Sequence, residues 1–178
     1  QIEADGLVAR PLPVLMRQPR FMVAVLCGTA SYALMAFVMT AAPLAMIACG
    51  FDVTQSTLGI QWHVMAMFVP SLFTGHLIAR FGKEPVVAVG LCILMICAAV
   101  ALSGIGLSHF YGALILLGIG WNFGFIGATA MVTDTYQPHE KHRIQGVNDF
   151  ILFGSVAFAS LMSGVAMNTV GWEIMNWL

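Results

Sequence analysis

Methionine and histidine side chains recur at helical spacing in two neighbouring apolar stretches of the chain. Met35 and Met39 lie four residues apart in the first stretch, and His63 and Met67 lie four apart in the second. Side chains with this spacing project from one face of an α-helix. Thioether and imidazole groups are soft ligands that suit Cu(I) better than Zn(II), Mn(II) or Mg(II). The two pairs therefore predict a copper site at mid-membrane, although methionines at this spacing also serve as ordinary core filling.

Further sulfur-bearing side chains occupy the broad arc of the first helix that carries Met35, namely Cys27, Met46 and Cys49. A disulfide between Cys27 and Cys49 is excluded, because a separation of 22 residues on one helix corresponds to roughly 33 Å. The remaining two cysteines are five residues apart and point to different faces of one helix. We therefore expect four free thiols.

Two ionisable residues at the ends of apolar stretches are candidates for proton transfer or gating. Asp149 follows Asn148 at the start of the fifth stretch, and Arg80 closes the second. Asp149 could join a proton relay, or it could cap the helix N terminus, where a carboxylate also favours the helix dipole. The sequence favours the cap.

Composition indicates that membrane-spanning helices must hold these residues. Hydrophobic residues make up 60% of the 178-residue chain and charged residues only 8%, with a mean hydropathy of +0.90. A soluble domain needs a far larger charged surface. Stretches long enough to cross a bilayer lie at residues 21–48, 57–78, 86–105, 110–133 and 147–167. A sixth helix begins near Gly171, and the absence of an initiator methionine leads us to expect a piece of a longer protein.

The basic residues fall at alternate ends of these stretches. Three arginines precede the first stretch, Arg80 and Lys83 separate the second from the third, and Lys141 and Arg143 separate the fourth from the fifth. All seven therefore share one side of the membrane, which the positive-inside rule makes cytoplasmic. The sequence thus predicts a cytoplasmic amino-terminal end.

Composition and motifs also argue against several classes of protein. A net charge of −1 provides no basic field for nucleic acid. No residue pattern resembles a hydrolytic triad, a Walker loop or a haem-attachment motif. We therefore predict neither enzyme activity nor a permanently bound cofactor.

Two loops resemble signatures of the major facilitator superfamily of transporters. Residues 75–85 read GHLIARFGKEP and resemble the family's cytoplasmic loop pattern G-x-L-x-D-R-x-G-R-K-P, with Ala79 in place of the acidic residue. Residues 138–146 read PHEKHRIQG and resemble the loop between the tenth and eleventh helices. The resemblance implies an all-α integral membrane fold, with residues 21–178 as helices seven to eleven and the start of twelve. Residues 1–20 would then be a cytoplasmic linker, and the partner would be the amino-terminal six-helix half.

Within this superfamily, the Met35/Met39 and His63/Met67 pairs resemble the MxxxM and HxxxM motifs of CcoA-like copper importers of bacterial inner membranes. That resemblance implies import of copper, as transported substrate, for cbb3-type cytochrome c oxidase assembly. It also implies that Cys27 and Cys49 assist in copper handling.

Two alternatives to copper import stay open. A related branch of the superfamily is associated with riboflavin uptake, and Trp62, Phe68 and Trp121 would then line an aromatic pocket. The chain could also be a non-transporting membrane subunit whose methionine-rich helices pack against a partner complex. We expect copper to be the substrate because of the paired motifs.

Overall fold

The structure is a computed structural model that describes residues 9–177, and the regular secondary structure of that part is entirely helical. The helices are α1 (Leu12–Met16), α2 (Pro19–Ala48), α3 (Val53–Phe68), α4 (Ser71–Phe81), α5 (Lys83–Leu102), α6 (Leu107–Val132), α7 (Lys141–Thr169) and α8 (Gly171–Trp177). Two short 3-10 turns, Thr133–Thr135 and Pro138–Glu140, connect α6 to α7. Five helical segments are long and apolar enough to cross a membrane. The predicted all-α membrane fold with five spans is therefore confirmed.

The second span differs from its prediction because it is broken in the middle. We expected one continuous stretch over 57–78, whereas α3 ends at Phe68 and α4 begins at Ser71. Pro70 lies at the break and is the N-cap residue of α4. Proline has no amide hydrogen and its ring crowds the preceding turn, so it interrupts the helical hydrogen bonds at this point.

The third and fifth spans also begin earlier than predicted. α5 starts at Lys83, directly after Gly82 in a left-handed conformation with φ of 92°. α7 starts at Lys141 because a reciprocal capping box between Gln137 and Glu140 initiates the turn before it. The bilayer-length core of each span was therefore predicted better than its polar ends.

Helix α6 forms the centre of the bundle and contacts α2, α3 and α5. Its glycines allow the backbones to approach closely, since a Cβ added to Gly90 of α5 would lie 2.3 Å from the amide nitrogen of Gly124. The same added atom would lie 2.9 Å from the carbonyl oxygen of Gly120. The Gly120–Gly124 spacing thus serves tight helix packing.

Two hydrophobic clusters fill the bundle. The central cluster is built around buried side chains of α2, α5, α6 and α8, including Met35, Met46, Leu94, Leu117, Trp121 and Met175. The basic-end cluster joins α1, α2, α5, α6 and α7 through Leu15, Phe21, Val87, Met131 and Ile144. Both clusters therefore depend on α2, α5 and α6.

Ion pairs tie together the helix ends that carry the basic residues. Arg20 lies 2.6 Å from Glu84 and 2.9 Å from Asp134, and Lys83 pairs with the same Asp134. Arg10 donates to both carboxylate oxygens of the buried Glu140. The start of α2, the start of α5 and the end of α6 thus share one end of the bundle, as the charge pattern predicted.

Candidate functional site

The predicted soft ligands lie around one apolar core. Met35 is buried within the central cluster, and Met39 and Met67 are partly buried against it. Both α2 and α3 contact α6. The structure therefore places the three thioethers on helices that share one core.

His63 is fully buried and is oriented by α6. Its Nδ1 lies 2.8 Å from the carbonyl oxygen of Leu114, which can only accept a hydrogen bond, so Nδ1 carries the hydrogen. Nε2 has no hydrogen-bond partner among the described residues. The imidazole therefore keeps one nitrogen lone pair uncommitted inside the bundle.

The other predicted sulfur ligands are spread along α2. Cys27 borders the basic-end cluster, whereas Cys49 is exposed at the opposite end of the helix as its C-cap residue. Met46 is fully buried in the central cluster, less than one turn from Cys49. All four cysteines are free thiols, as expected.

The expectation that Asp149 caps a helix is wrong. α7 begins at Lys141, so Asp149 lies eight residues inside a continuous helix. Its exposed carboxylate accepts a hydrogen bond from the Asn148 amide at 3.1 Å. Arg80, the second gating candidate, is exposed in the last turn of α4 and lies over the ring of Phe81, 5.3 Å from its centroid.

An aromatic cluster joins three helices midway along their lengths. Trp121 and Phe125 of α6 stack with ring centroids 5.1 Å apart and an interplanar angle of 15°. Tyr32 of α2 meets both edge-on, at 5.4 Å from Trp121 and 5.1 Å from Phe125. Phe153 of α7 completes the group at 6.2 Å from Tyr32. These four residues are called the aromatic cluster below.

The aromatic cluster only partly matches the predicted aromatic lining. Trp121 belongs to it, whereas Trp62 and Phe68 are 51% and 61% exposed on α3 and take no part in its ring contacts. Tyr32 and Phe125 are partly buried, and Phe153 is 56% exposed, so the cluster is open on one side. The four-residue spacing of Trp121 and Phe125 was the available signal for their stacking.

A buried amide fixes the helix break beside this cluster. The Asn122 amide nitrogen donates to the carbonyl oxygen of Met67 at 2.7 Å and to the hydroxyl of Ser71 at 2.6 Å. The amide oxygen accepts from the Thr74 hydroxyl at 2.6 Å. Asn122 therefore satisfies a carbonyl at the end of α3 and binds both α3 and α4 to α6, a role that sequence reasoning missed.

An apolar groove on another side of α2 is less suited to a polar solute. Leu34 lines it, and Tyr32 lies two residues away, so the two side chains project from opposite sides of the helix. The groove is lined by side chains such as Leu34, Phe37, Met95, Phe158 and Met162 and has no charged residue. The aromatic cluster is therefore the better candidate for solute recognition.

Comparison with known proteins identifies the family. The Major Facilitator Superfamily matches residues 8–178. The chain is 59% identical over 169 residues to the riboflavin transporter RfnT of Brucella anthropi, an alignment that covers 95% of the chain and 42% of that protein. It is 34% identical over 146 residues to the uncharacterized MFS-type transporter YddS of Bacillus subtilis, covering 80% of the chain and 33% of that protein.

A more distant relative is the multidrug resistance protein D of Escherichia coli, with 25% identity over 119 residues and coverage of 67% of the chain and 30% of that protein. No solved structure matches the chain. The chain thus spans less than half the length of these curated relatives, and they indicate a multi-pass membrane transporter rather than an enzyme. The resemblance to CcoA-like copper importers finds no support among these relatives. The chain belongs to the Major Facilitator Superfamily.

Proposed function

We propose that the transporter containing this chain carries riboflavin or a closely related flavin across the membrane. The observation that carries the proposal is the 59% identity to a riboflavin transporter over 95% of the chain. This identity favours riboflavin over copper as the substrate, whereas the sequence motifs favoured copper over riboflavin.

The aromatic cluster supports a flavin because its chemistry matches a flat heterocycle. Trp121 and Phe125 show that this part of the bundle accommodates parallel rings, and Tyr32 presents its edge to both. Aromatic side chains favour offset-stacked and edge-to-face contacts with other rings. A flavin ring system that meets Tyr32 and Phe153 on the open side of the cluster would gain contacts of both kinds.

The depth of the cluster also suits a transported solute. Tyr32, Trp121 and Phe153 each lie near the middle of their helices. Secondary transporters of this architecture bind substrate near the bilayer midplane, between their two halves. We therefore propose that the amino-terminal six-helix half supplies the opposite wall of the site.

Copper import is the second candidate, and one observation favours it. His63, whose Nδ1 bonds to Leu114 of the central cluster, has an uncommitted Nε2 lone pair, and Met35, Met39 and Met67 lie in or against that cluster. A neutral imidazole with thioethers is a donor set that suits Cu(I). The copper site thus remains a proposal about the same region of the bundle.

Paired uptake measurements separate the two candidates. We expect cells that express the full-length transporter to accumulate radiolabelled riboflavin and to show no added accumulation of radiolabelled copper. Cells carrying a His63→Ala/Met67→Ala variant provide the control for copper. Copper accumulation that depends on these two residues, without riboflavin uptake, would contradict the flavin proposal.

We further propose that the transporter lies in a bacterial inner membrane with the basic end of the bundle in the cytoplasm. The supporting observation is the clustering of Arg20, Lys83, Lys141 and Arg143 at adjoining helix ends. Positively charged connections are retained on the cytoplasmic side during membrane insertion.

A further inference from the structure

Asp149 lies on the same face of α7 as the exposed aromatic ring of Phe153. The two residues are four apart within one continuous helix, so their side chains are separated by one turn, about 6 Å along the axis. Phe153 contacts Tyr32 and thereby belongs to the aromatic cluster. A carboxylate thus adjoins the proposed flavin site on the side toward the basic end.

The surroundings of this carboxylate indicate a polar ligand. Asp149 is exposed on the surface of this half of the transporter. It forms none of the ion pairs found within residues 9–177. Its hydrogen bond comes from the neighbouring Asn148 amide, which leaves acceptor positions free. An ionised side chain within a membrane span is costly against lipid and is found facing cavities or polar partners. We therefore expect this face of α7 to border a hydrated path rather than acyl chains.

We infer that Asp149 accepts hydrogen bonds from the hydroxyl groups of the flavin's sugar-alcohol chain. The inference rests on the proposed flavin function and deepens it by assigning the two parts of the solute to different residues. The aromatic cluster binds the ring system, and Asp149, one turn away, binds the polyol chain attached to it. An ionised carboxylate only accepts hydrogen bonds, and hydroxyl groups supply the matching donors.

The negative charge of the same carboxylate also selects among solutes by their charge. A solute carrying a phosphate at the end of the polyol chain would bring like charges together, and like-charge contacts disfavour binding. The hard oxygen ligands of a carboxylate also match Cu(I) poorly. Asp149 therefore favours a neutral polyol-bearing flavin over a flavin phosphate.

A binding experiment on the purified full-length transporter tests this assignment. Quenching of flavin fluorescence reports the affinity for riboflavin and for lumiflavin, which has the same ring system without the hydroxyl chain. We expect Asp149→Asn to weaken riboflavin binding about tenfold, the loss typical of hydrogen bonds to a charged group. Lumiflavin binding should change less than about twofold, which also shows that the variant is folded.

Two matched variants complete the test. Glu173→Gln removes an exposed carboxylate of α8, near the other end of α7, and should leave both affinities unchanged. Asp149→Glu keeps the carboxylate and should retain a preference for riboflavin over lumiflavin. Equal losses for both ligands in Asp149→Asn, or no loss for either, would overturn the assignment. A wild-type protein that binds neither flavin would instead refute the proposed function itself.

Discussion

Tyr32 lies where three helices meet, because its ring contacts Trp121 and Phe125 on α6 and Phe153 on α7. It is partly buried, whereas Trp121 is almost completely buried in the central cluster. Truncating Tyr32 therefore opens the solute-facing side of the aromatic cluster and removes one edge-on contact of Trp121, whose other neighbours in the central cluster stay in place. This makes Tyr32 the most informative single position for the flavin proposal.

We expect Tyr32→Ala to weaken riboflavin binding by about two- to tenfold, the range that corresponds to one aromatic pair contact. Tyr32→Phe keeps the ring and should bind nearly as the wild type does. Trp62→Ala is the matched control, since Trp62 is an exposed aromatic residue outside the cluster. Fluorescence titration of the full-length protein measures all three. An equal loss in Trp62→Ala would assign the ring contacts to α3 instead.

At the level of residues, the sequence identified pairs of side chains only where both members belong to the same helix. The pairs Met35/Met39 and His63/Met67 were visible in this way, and their helices do share a core. The contact of Tyr32 with Phe153 was missed because it depends on the rotation of α2 against α7. Asp149 was misassigned because the helix extends beyond the apolar stretch: Gln137 and Glu140 form a capping box on the 3-10 turn before α7, and α7 then starts at Lys141.

The packing of α5 against α6 depends on the absence of side chains at their crossing. A Cβ at Gly90 would lie 2.3 Å from the backbone of Gly124, a distance that neither helix can accommodate without moving. A Cβ added to Gly154 of α7 would meet no atom within 4 Å. The two glycines thus differ in packing although both lie within helices.

We therefore expect opposite effects from the same substitution at these positions. Gly90→Ala should destabilise the bundle by about 1–3 kcal/mol, because overpacking forces the helices apart. Gly154→Ala should be neutral or slightly stabilising, since alanine is the better helix former by up to about 1 kcal/mol. Thermal unfolding of both variants in detergent provides the measurement. Equal melting temperatures would show that the close crossing of α5 and α6 is not rigid.

The break between α3 and α4 depends on a residue of another helix. Asn122 satisfies the Met67 carbonyl and contacts Ser71 and Thr74 beyond Pro70. We expect Asn122→Leu to cost about 1–2 kcal/mol, since it leaves a buried carbonyl without a donor. Faster hydrogen exchange limited to the amides of residues 66–75 would support this role. Unchanged exchange there would show that Pro70 alone fixes the break.

At the element scale, the sequence predicted each membrane-spanning core from its hydropathy. Five apolar stretches corresponded to five spans. The break at Pro70 was not predicted, because proline within a span can kink a helix or interrupt it, and the outcome depends on donors such as Asn122 from neighbouring helices. The polar first turns of α5 and α7 were missed since hydropathy does not detect helix that continues beyond the apolar region.

Across the whole molecule, the basic residues are concentrated at one end of the bundle. Arg20, Lys83, Glu84 and Asp134 form one network at the end of the bundle that carries the basic residues. Asp52, the N-cap residue of α3, and Glu173, in the first turn of α8, lie at the other end of the bundle. This asymmetry predicts the orientation of the protein in the membrane.

Cysteine labelling of the full-length protein, with the four native cysteines replaced by serine, tests that orientation. A membrane-impermeant maleimide applied outside cells should label Asp52→Cys and leave Lys141→Cys unlabelled until the membrane is permeabilised. Both positions are exposed, so accessibility within the protein does not limit the reaction. The reverse pattern would place the basic end outside and contradict the positive-inside assignment.

The substrate must be tested on the complete transporter, because this chain corresponds to 42% of the length of its riboflavin-transporting relative. The most direct measurement is uptake of radiolabelled riboflavin into proteoliposomes that contain the purified full-length protein, beside copper uptake in matched vesicles. From the flavin proposal we expect saturable riboflavin uptake that Tyr32→Ala weakens and Trp62→Ala does not, with copper uptake equal to that of protein-free vesicles. Copper uptake without riboflavin uptake would contradict it.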